Sequence, residues 1–357
     1  MPNVHASVLQ SFAIRVLDAI GLPEDAAEVT ARCLVYANLR GVDSHGVMRL
    51  VQYSESISRG DVNPRPPIEV VSRHGSTALI DAGGGYGFAP TLMAADLAVE
   101  LAVEHGVGLV GVRNSHHFGM AATYSERAAA AGMIGITTTN TGPVMAPIGG
   151  IKATLGNNPI AFAIPRRSPH PPIVFDMALS ATAFGKIRLA AAEGRSIPLG
   201  WAYDIQGRPT TDAALALKAV LLAPMGGHKG YGLAFVLDVL TGILTGSRFG
   251  ANADGHLYPE GGVGHLVIVF QPDLFIPREQ FLDSVEGLIQ EVKSVPLADG
   301  SDEIHIPGDI EYAVIARRER EGIPISAELF GQLLKLGREL KVDSSDVLMN
   351  GGGDANV

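Results

Sequence analysis

Along the first sixty residues the apolar positions recur at helical spacing. Leu9, Phe12, Ala13, Val16 and Ile20 return every three or four residues until Gly21 stops the run, which predicts a first helix. Pro23-Glu24-Asp25 opens a second with the early acidic residues that a helix N-terminus favours, and Gly41 follows its end. A third is expected from "DSHG", where Asp43 or Ser44 can cap, to Gly60, followed by the Pro-rich boundary "NPRPPIEVV" (64–71). Beyond it the pattern alternates: "TALID" (77–81) as strand, 90–105 as helix, 107–112 as strand, 120–131 as helix and "MIGITTT" (133–139) as strand. Then come "PIAFAI" and "PIVFDM", a helix near 179–193, a long buried helix from about 230 and the strand "HLVIVF" (265–270). Helices near 277–293, 309–321 and 326–340 close the chain, and "GGGDANV" reads as a frayed tail.

This succession predicts an α/β protein, a sheet covered by helices with an N-terminal helical part. The expected division is a helical part at 1–70 packed with C-terminal helices at 309–345, a central α/β domain from 71–135 and 265–308, a cofactor-binding region at 136–264, and a flexible tail at 346–357. No internal repeat or low-complexity tract interrupts it.

Composition narrows the class. With 357 residues, 46% of them hydrophobic and 43 glycines, the chain can build a sizeable core with many loops. A net charge of −10 without any Lys/Arg run excludes nucleic acid as the expected partner. The one cysteine, Cys33, sits in the apolar helical pattern "ARCLVYA" and fits a reducing compartment. "MPNVHASVLQ" does not read as a signal peptide, and the most apolar window (232–246) is too short for a bilayer and carries Asp238. A cytoplasmic protein acting on a small molecule, away from membranes, is the expectation.

"LIDAGGGYGFAP" (79–90) has the strand, glycines and helix of a dinucleotide turn but not its G-x-G-x-x-G spacing. From Gly83 the sixth position is Phe88, from Gly85 it is Pro90, and Arg113 stands where a carboxylate would end the next strand. Gly83 to Gly87 are expected to form a tight turn. "GGHKGYG" (226–232) is better placed, since it precedes a helix whose backbone N–H groups can hold an anion, with Lys229 as an added charge.

The chemistry concentrates in "GVDSHGVMRL". His45 is expected in the first turn of a helix, with Arg49 four residues on along the same face. A guanidinium grips a carboxylate bidentately while an imidazole protonates or deprotonates the adjacent oxygen, which suits a 2-oxo or 2-hydroxy acid. Asp176, ending the apolar "PIVFDM", needs a partner, an imidazole or a polar cofactor group, unless it caps a helix. His116 and His117 are adjacent and point to opposite faces of a strand, which argues against a shared metal ion. A metal-dependent hydrolase or lyase using His45, His116 and His117 is the alternative of another class.

"RGVDSHGVMR", "NSHHFG", "TTTNT", "LGNNPIAFAIP", "FDMALSATAFGK", "GWAYDIQGRPTTD", "GGHKGYGL" and "IHIPGD" occur in this order. Together, over about residues 5–340, they resemble the malate/L-lactate dehydrogenase family, which is unrelated to the Rossmann-type lactate dehydrogenases. That family also holds ureidoglycolate and sulfolactate dehydrogenases, a diketogulonate reductase and Δ1-piperideine-2-carboxylate reductases. The resemblance implies a non-Rossmann α/β fold, a homodimer and hydride transfer with NAD or NADP. It implies His45 as proton donor with Ser44 and Asp176 in relay, Arg49 as carboxylate ligand, Thr141 as a substrate contact, and His117 as the acid/base of ureidoglycolate-type members. Cofactor contacts carry over to Asp176, Met177, Ala178, His228, Lys229, Gly308 and Asp309. Near 261, where ureidoglycolate enzymes carry an arginine, this chain reads "EGGVGH". Reduction of a cyclic imine 2-carboxylate is the close alternative, since it needs the same histidine and arginine.

Overall fold

The structure, a computed structural model, describes residues 2–253 and 258–347; the tail expected at 346–357 lies outside them from 348 on. The chain starts with a short strand β1 (Asn3–Val4) and helices α1 (Ala6–Ala19), α2 (Glu24–Leu39) and α3 (Arg49–Ser58). A helical core forms where Leu9, Phe12 and Val16 of α1 meet Leu34 of α2 and Leu50 and Tyr53 of α3.

Strands β2 (Glu69–His74) and β3 (Thr77–Asp81) lead into α4 (Phe88–His105), β4 (Val107–Ser115), α5 (Ala122–Ala130) and β5 (Ile134–Thr139). Next come β6 (Ile160–Ile164), β7 (Ile173–Met177), α6 (Phe184–Ala192), the small pair β8 (Ala202–Tyr203) and β9 (Pro209–Thr210), and α7 (Ala213–Ala219). Asp212 caps α7 by accepting the N–H groups of Ala214 and Leu215. The helix expected from about 230 is α8 (His228–Asp238), which runs on into a π turn, Val239–Ile243; it is not buried as expected, since only Gly230, Ala234, Leu237 and Asp238 are covered and Phe235 and Val236 face outward. The chain closes with β10 (Val263–Phe270), α9 (Arg278–Lys293), α10 (Asp309–Glu321), β11 (Ile323–Pro324) and α11 (Ala327–Glu339).

Seven strands form one sheet in the order β2-β3-β4-β10-β5-β6-β7, so the mixed sheet with helical cover expected from the sequence is present. Only β3 and β4 run parallel side by side, joined by α4; β10 enters antiparallel between β4 and β5. These directions place the C-terminal ends of β3, β4, β5 and β7 along one edge of the sheet, where α/β proteins present ligand-binding loops. The expected boundaries at 135/136 and 264/265 fall inside β5 and β10, both of which belong to this sheet. The N-terminal helices share their core with Ile323, Ile325, Leu333 and Leu336, and β1 pairs with β11.

Candidate active site

The glycine turn after β3 is tight and closely packed, as expected. A Cβ on Gly83 would lie 2.7 Å from the Pro67 carbonyl oxygen, one on Gly84 2.5 Å from that of Pro259, and one on Gly85 would collide with the Pro66 ring. Two prolines and the 259–260 backbone pack directly against these glycines. Arg113 and Asn114 instead bind the Asp81 carboxylate, each at 2.9 Å, and close the turn.

The turn carrying His45 departs from expectation. Residues Asp43–His45 form one 3-10 turn, Gly46 is extended, and α3 starts only at Arg49. Asn38 is the cause: its side-chain oxygen accepts the Val47 N–H at 2.9 Å and occupies the place of a Cβ on Gly46. His45 therefore owes its perturbed acidity to burial and to the nearby Arg49 cation, which lower its pKa to about 4, and not to a helix end.

Arg49 is held from two sides. Its Nε donates to the Ser44 carbonyl at 2.7 Å and its Nη1 to Gln52 at 2.7 Å, while Nη2 makes no hydrogen bond among the described residues. Ser44 Oγ lies 2.9 Å from His45 Nδ1. The His45 and His117 rings stand 5.5 Å apart and nearly parallel. Burial, then the charges of Arg49, His45 and His265, hold His117 well below the usual imidazole range. Ser44, His45, Arg49 and His117 thus meet in one cluster, while His116 is buried behind it.

Sequence reasoning missed the residues that orient this cluster. Tyr53, one turn beyond Arg49 on α3, places its hydroxyl 2.6 Å from His117 Nδ1. His265, fully buried on β10, bridges Thr139 Oγ1 at 2.7 Å and Ser115 Oγ at 2.8 Å, and stacks on Phe118 at 4.6 Å. The spacing of Arg49, Gln52 and Tyr53 at i, i+3 and i+4 was a usable signal; nothing in "GHLVIVF" distinguished His265 from a surface histidine.

Asp176 is not joined to Ser44 or His45. It lies on β7, four strand spacings from β4, and its carboxylate accepts the Ala122 N–H at the start of α5 at 2.9 Å. The residue keeps accessible surface, yet the surrounding protein withdraws enough water to raise its carboxyl to about 6. The proposed serine–aspartate relay is therefore not assembled within this chain. Thr141 sits at the same sheet edge, between His117 and Asp176, where its hydroxyl bonds Asn157 at 2.9 Å and its N–H bonds Asn158 at 3.0 Å.

The other positions expected to touch a cofactor line up beyond Asp176. Met177 ends β7 and Ala178 follows it; the Leu179 carbonyl accepts the Met225 N–H at 2.8 Å, and His228 and Lys229 open α8 three residues later. Both side chains are exposed, and neither residue's N–H has a backbone acceptor among the described residues. On the other side of β7, the Pro307 carbonyl takes the Val174 N–H at 3.1 Å, which sets Gly308 and Asp309 beside the strand. A row of free N–H groups, an ammonium and a carboxylate is a donor set that fits a dinucleotide's phosphate and hydroxyl groups. Asp309 is partly engaged, with Lys293 at 2.6 Å.

Among the described residues His45, His116 and His117 do not converge on a metal position. The trio with metal-ligand spacing is Glu303, His305 and Asp309, and the Lys293 ammonium already contacts both of its carboxylates. The alternative of a metal-dependent hydrolase loses its proposed ligand set.

A sequence profile of malate/L-lactate dehydrogenases matches residues 4–334. The chain is 40% identical to an L-sulfolactate dehydrogenase of Methanothermobacter thermautotrophicus over 92% of its length and 94% of the relative's. It is 39% identical to a (2R)-3-sulfolactate dehydrogenase (NADP(+)) of Chromohalobacter salexigens, covering 87% and 90%, and 34% identical to a ureidoglycolate dehydrogenase (NAD(+)) of Escherichia coli, covering 88% and 90%. The sulfolactate dehydrogenase structure from Methanocaldococcus jannaschii superposes with a TM-score of 0.89 at 39% identity, over 96% of this chain and 99% of that one.

Proposed function

This chain belongs to the malate/L-lactate dehydrogenase family and is an NAD(P)-dependent oxidoreductase of 2-hydroxy acids, and from that premise we propose how its residues divide the work. The substrate is a small 2-oxo acid, malate-, lactate- or sulfolactate-like, interconverted with its 2-hydroxy acid beside His45, Arg49 and His117. The observation that carries this reading is the Arg49 guanidinium, fixed by Ser44 and Gln52 with Nη2 left over, next to two stacked imidazoles. A carboxylate on Arg49 sets the neighbouring C2 oxygen against an imidazole, with Thr141 as a further contact.

His45 or His117 moves the proton. Burial and the Arg49 charge favour the neutral form of both, the state a base needs to oxidise a hydroxy acid. For reduction a carboxylate on Arg49 cancels part of the guanidinium's repulsion and lets the imidazole take up its proton more readily. NAD or NADP, when bound, would supply or accept the hydride at nicotinamide C4, and Asp176, Met177, Ala178, His228, Lys229, Gly308 and Asp309 are the residues that would hold it along the sheet edge.

Gly261 disfavours ureidoglycolate. Its φ is +91°, and a Cβ there would collide with the Asn114 carbonyl carbon, so this backbone has no place for an arginine at that position. We place the enzyme in the cytoplasm as a homodimer, supported by the buried, unpaired Cys33 and by exposed Phe235, Val236, Ile243 and Leu244 on α8 and its π turn. No helix of the described residues is long and apolar enough to cross a membrane.

The test is nicotinamide absorbance with NADH or NADPH and oxaloacetate, pyruvate, sulfopyruvate or piperideine-2-carboxylate, with and without chelator. Turnover of an open-chain 2-oxo acid that survives chelation is expected. Preference for the cyclic imine would move the substrate assignment, and turnover that needs a divalent metal and no nicotinamide would overturn the reading.

A further inference from the structure

Two hydrogen-bond donors converge on one atom of His117. The Tyr53 hydroxyl lies 2.6 Å from Nδ1, and the Gly119 backbone N–H donates to the same nitrogen at 3.3 Å. Tyr53 is buried, its hydroxyl has no other partner among the described residues, and burial drives its pKa far above the working range. The phenol therefore keeps its proton and, with no other acceptor for it among the described residues, points its O–H at His117 as a hydrogen-bond donor, and an amide N–H can only donate. Nδ1 is left with its lone pair, and the ring hydrogen sits on Nε2.

That tautomer has a consequence for the reaction. Nε2 already carries hydrogen in the neutral ring, so it cannot accept a proton, and protonation at Nδ1 would set that N–H against the Gly119 N–H and turn the buried Tyr53 O–H away from its acceptor. His45 is built differently. Its Nδ1 partner is the Ser44 hydroxyl, which can accept a hydrogen bond as well as donate one. With Nδ1–H donated to Ser44, Nε2 offers a lone pair, and taking up a proton there disturbs no existing bond.

We infer that Tyr53 and Gly119 hold His117 as an Nε2–H donor to the substrate's C2 oxygen, and that proton transfer belongs to His45. The inference deepens the dehydrogenase reading above and rests on it for the identity of the substrate. With NAD or NADP bound as hydride acceptor, the substrate's hydroxyl proton would pass to His45 Nε2 as C2 loses its hydride. The oxygen, becoming a carbonyl, keeps its hydrogen bond from His117. A neutral imidazole acting as donor is an established catalytic device. Tyr53 is then a positioning residue, acting through His117.

The charged and titratable groups around the pair are Arg49 and Tyr53 from α3 and His265 from β10. None of them reverses the tautomer argument, because both donors on Nδ1 are fixed by backbone and burial.

Two measurements test it. Long-range proton–nitrogen correlation spectra of histidine-labelled protein near neutral pH, assigned with His117→Gln, should show His117 with a protonated Nε2 and a bare Nδ1. Tyr53→Phe should blur that pattern and lower kcat several-fold at nearly constant KM. In kinetics, glutamine places an amide N–H near the position of imidazole Nε2 but cannot shuttle a proton. His117→Gln should therefore lose about tenfold or less in kcat and keep the acid limb of the pH profile, whereas His45→Gln should lose about a hundredfold or more and lose that limb. A hydrogen on Nδ1 of His117, or the reverse kinetic order, overturns the assignment. Wild-type protein with no nicotinamide-linked turnover overturns the dehydrogenase reading instead, and the spectra still decide the tautomer.

Discussion

His45 and Arg49 stood out in the sequence by their four-residue spacing in one short stretch, whereas His117 was singled out only by the family resemblance. Tyr53 and His265 were not legible, because an aromatic at helical spacing reads as core, and Tyr53 is core except at its hydroxyl. Arg49→Lys keeps the charge but loses the fork, so kcat/KM should fall by about 1–3 kcal/mol in transition-state terms, roughly several-fold to over a hundredfold. Steady-state kinetics check it, and an unchanged value removes Arg49 from the site. His265 gives a separate signature in stability. Burial, helped by His116, lowers its pKa to about 3, whereas an unfolded chain titrates near 6.5. Between those values the unfolded state binds a proton that the folded state refuses, so stability is whole above the upper value and is lost as pH falls toward the lower one. Replacing His265 with Gln should weaken the fold at neutral pH and flatten its pH dependence between about pH 6 and 4 by up to about 1.4 kcal/mol per pH unit. Denaturant titrations across that range read the slope, and parallel curves for wild type and variant would refute the assignment.

At the scale of elements, strands and helices with a regular apolar period were read within a few residues, and the failures have local causes. β2 escaped notice because all six of its residues are exposed at the sheet margin, which leaves no alternation to read. The helix expected from Asp43 broke at Gly46 because the Asn38 side chain takes the Val47 N–H and fills the place of a Cβ on Gly46, and a distant residue then holds that turn. Arg318 on α10 grips both Asp43 oxygens, at 2.7 and 3.0 Å, and also bonds the Asn38 carbonyl. This clamp holds the Ser44–His45 turn against α2 from a residue 275 positions away. Arg318→Lys cannot make the paired contact. It should cost about 1–2 kcal/mol of stability and lower kcat more than it changes the cofactor KM, since the turn it frees carries His45. Thermal melts and steady-state kinetics measure both, and a variant with wild-type kcat would show that the turn is held without it.

For the molecule as a whole, local patterns gave the α/β class but not the order of strands. β10 is contributed from beyond residue 260 and lies between β4 and β5, so one sheet spans what the sequence divided into two regions. That insertion matters for the site: His265 at the start of β10 ties Ser115 on β4 to Thr139 on β5, and so supports Phe118 beside His117. Exposed apolar side chains are scattered over the surface, and several of them cluster in sequence on α8 and just beyond it. Phe235, Val236, Ile243, Leu244 and Phe249 are each at least half exposed, a density of large apolar residues that single molecules seldom leave to water. The run begins on α8, whose first residues are His228 and Lys229, so a second copy covering it would also steady the helix that offers its N-terminus to the cofactor. Val236→Asp with Leu244→Asp puts two carboxylates on that surface while leaving the buried face of α8, Ala234 and Leu237, untouched. Light scattering should give a dimer mass for the wild type and a monomer mass for the double variant, with the cofactor KM raised in the latter. A wild-type monomer, or a variant that stays dimeric, would place the subunit contact elsewhere or remove it.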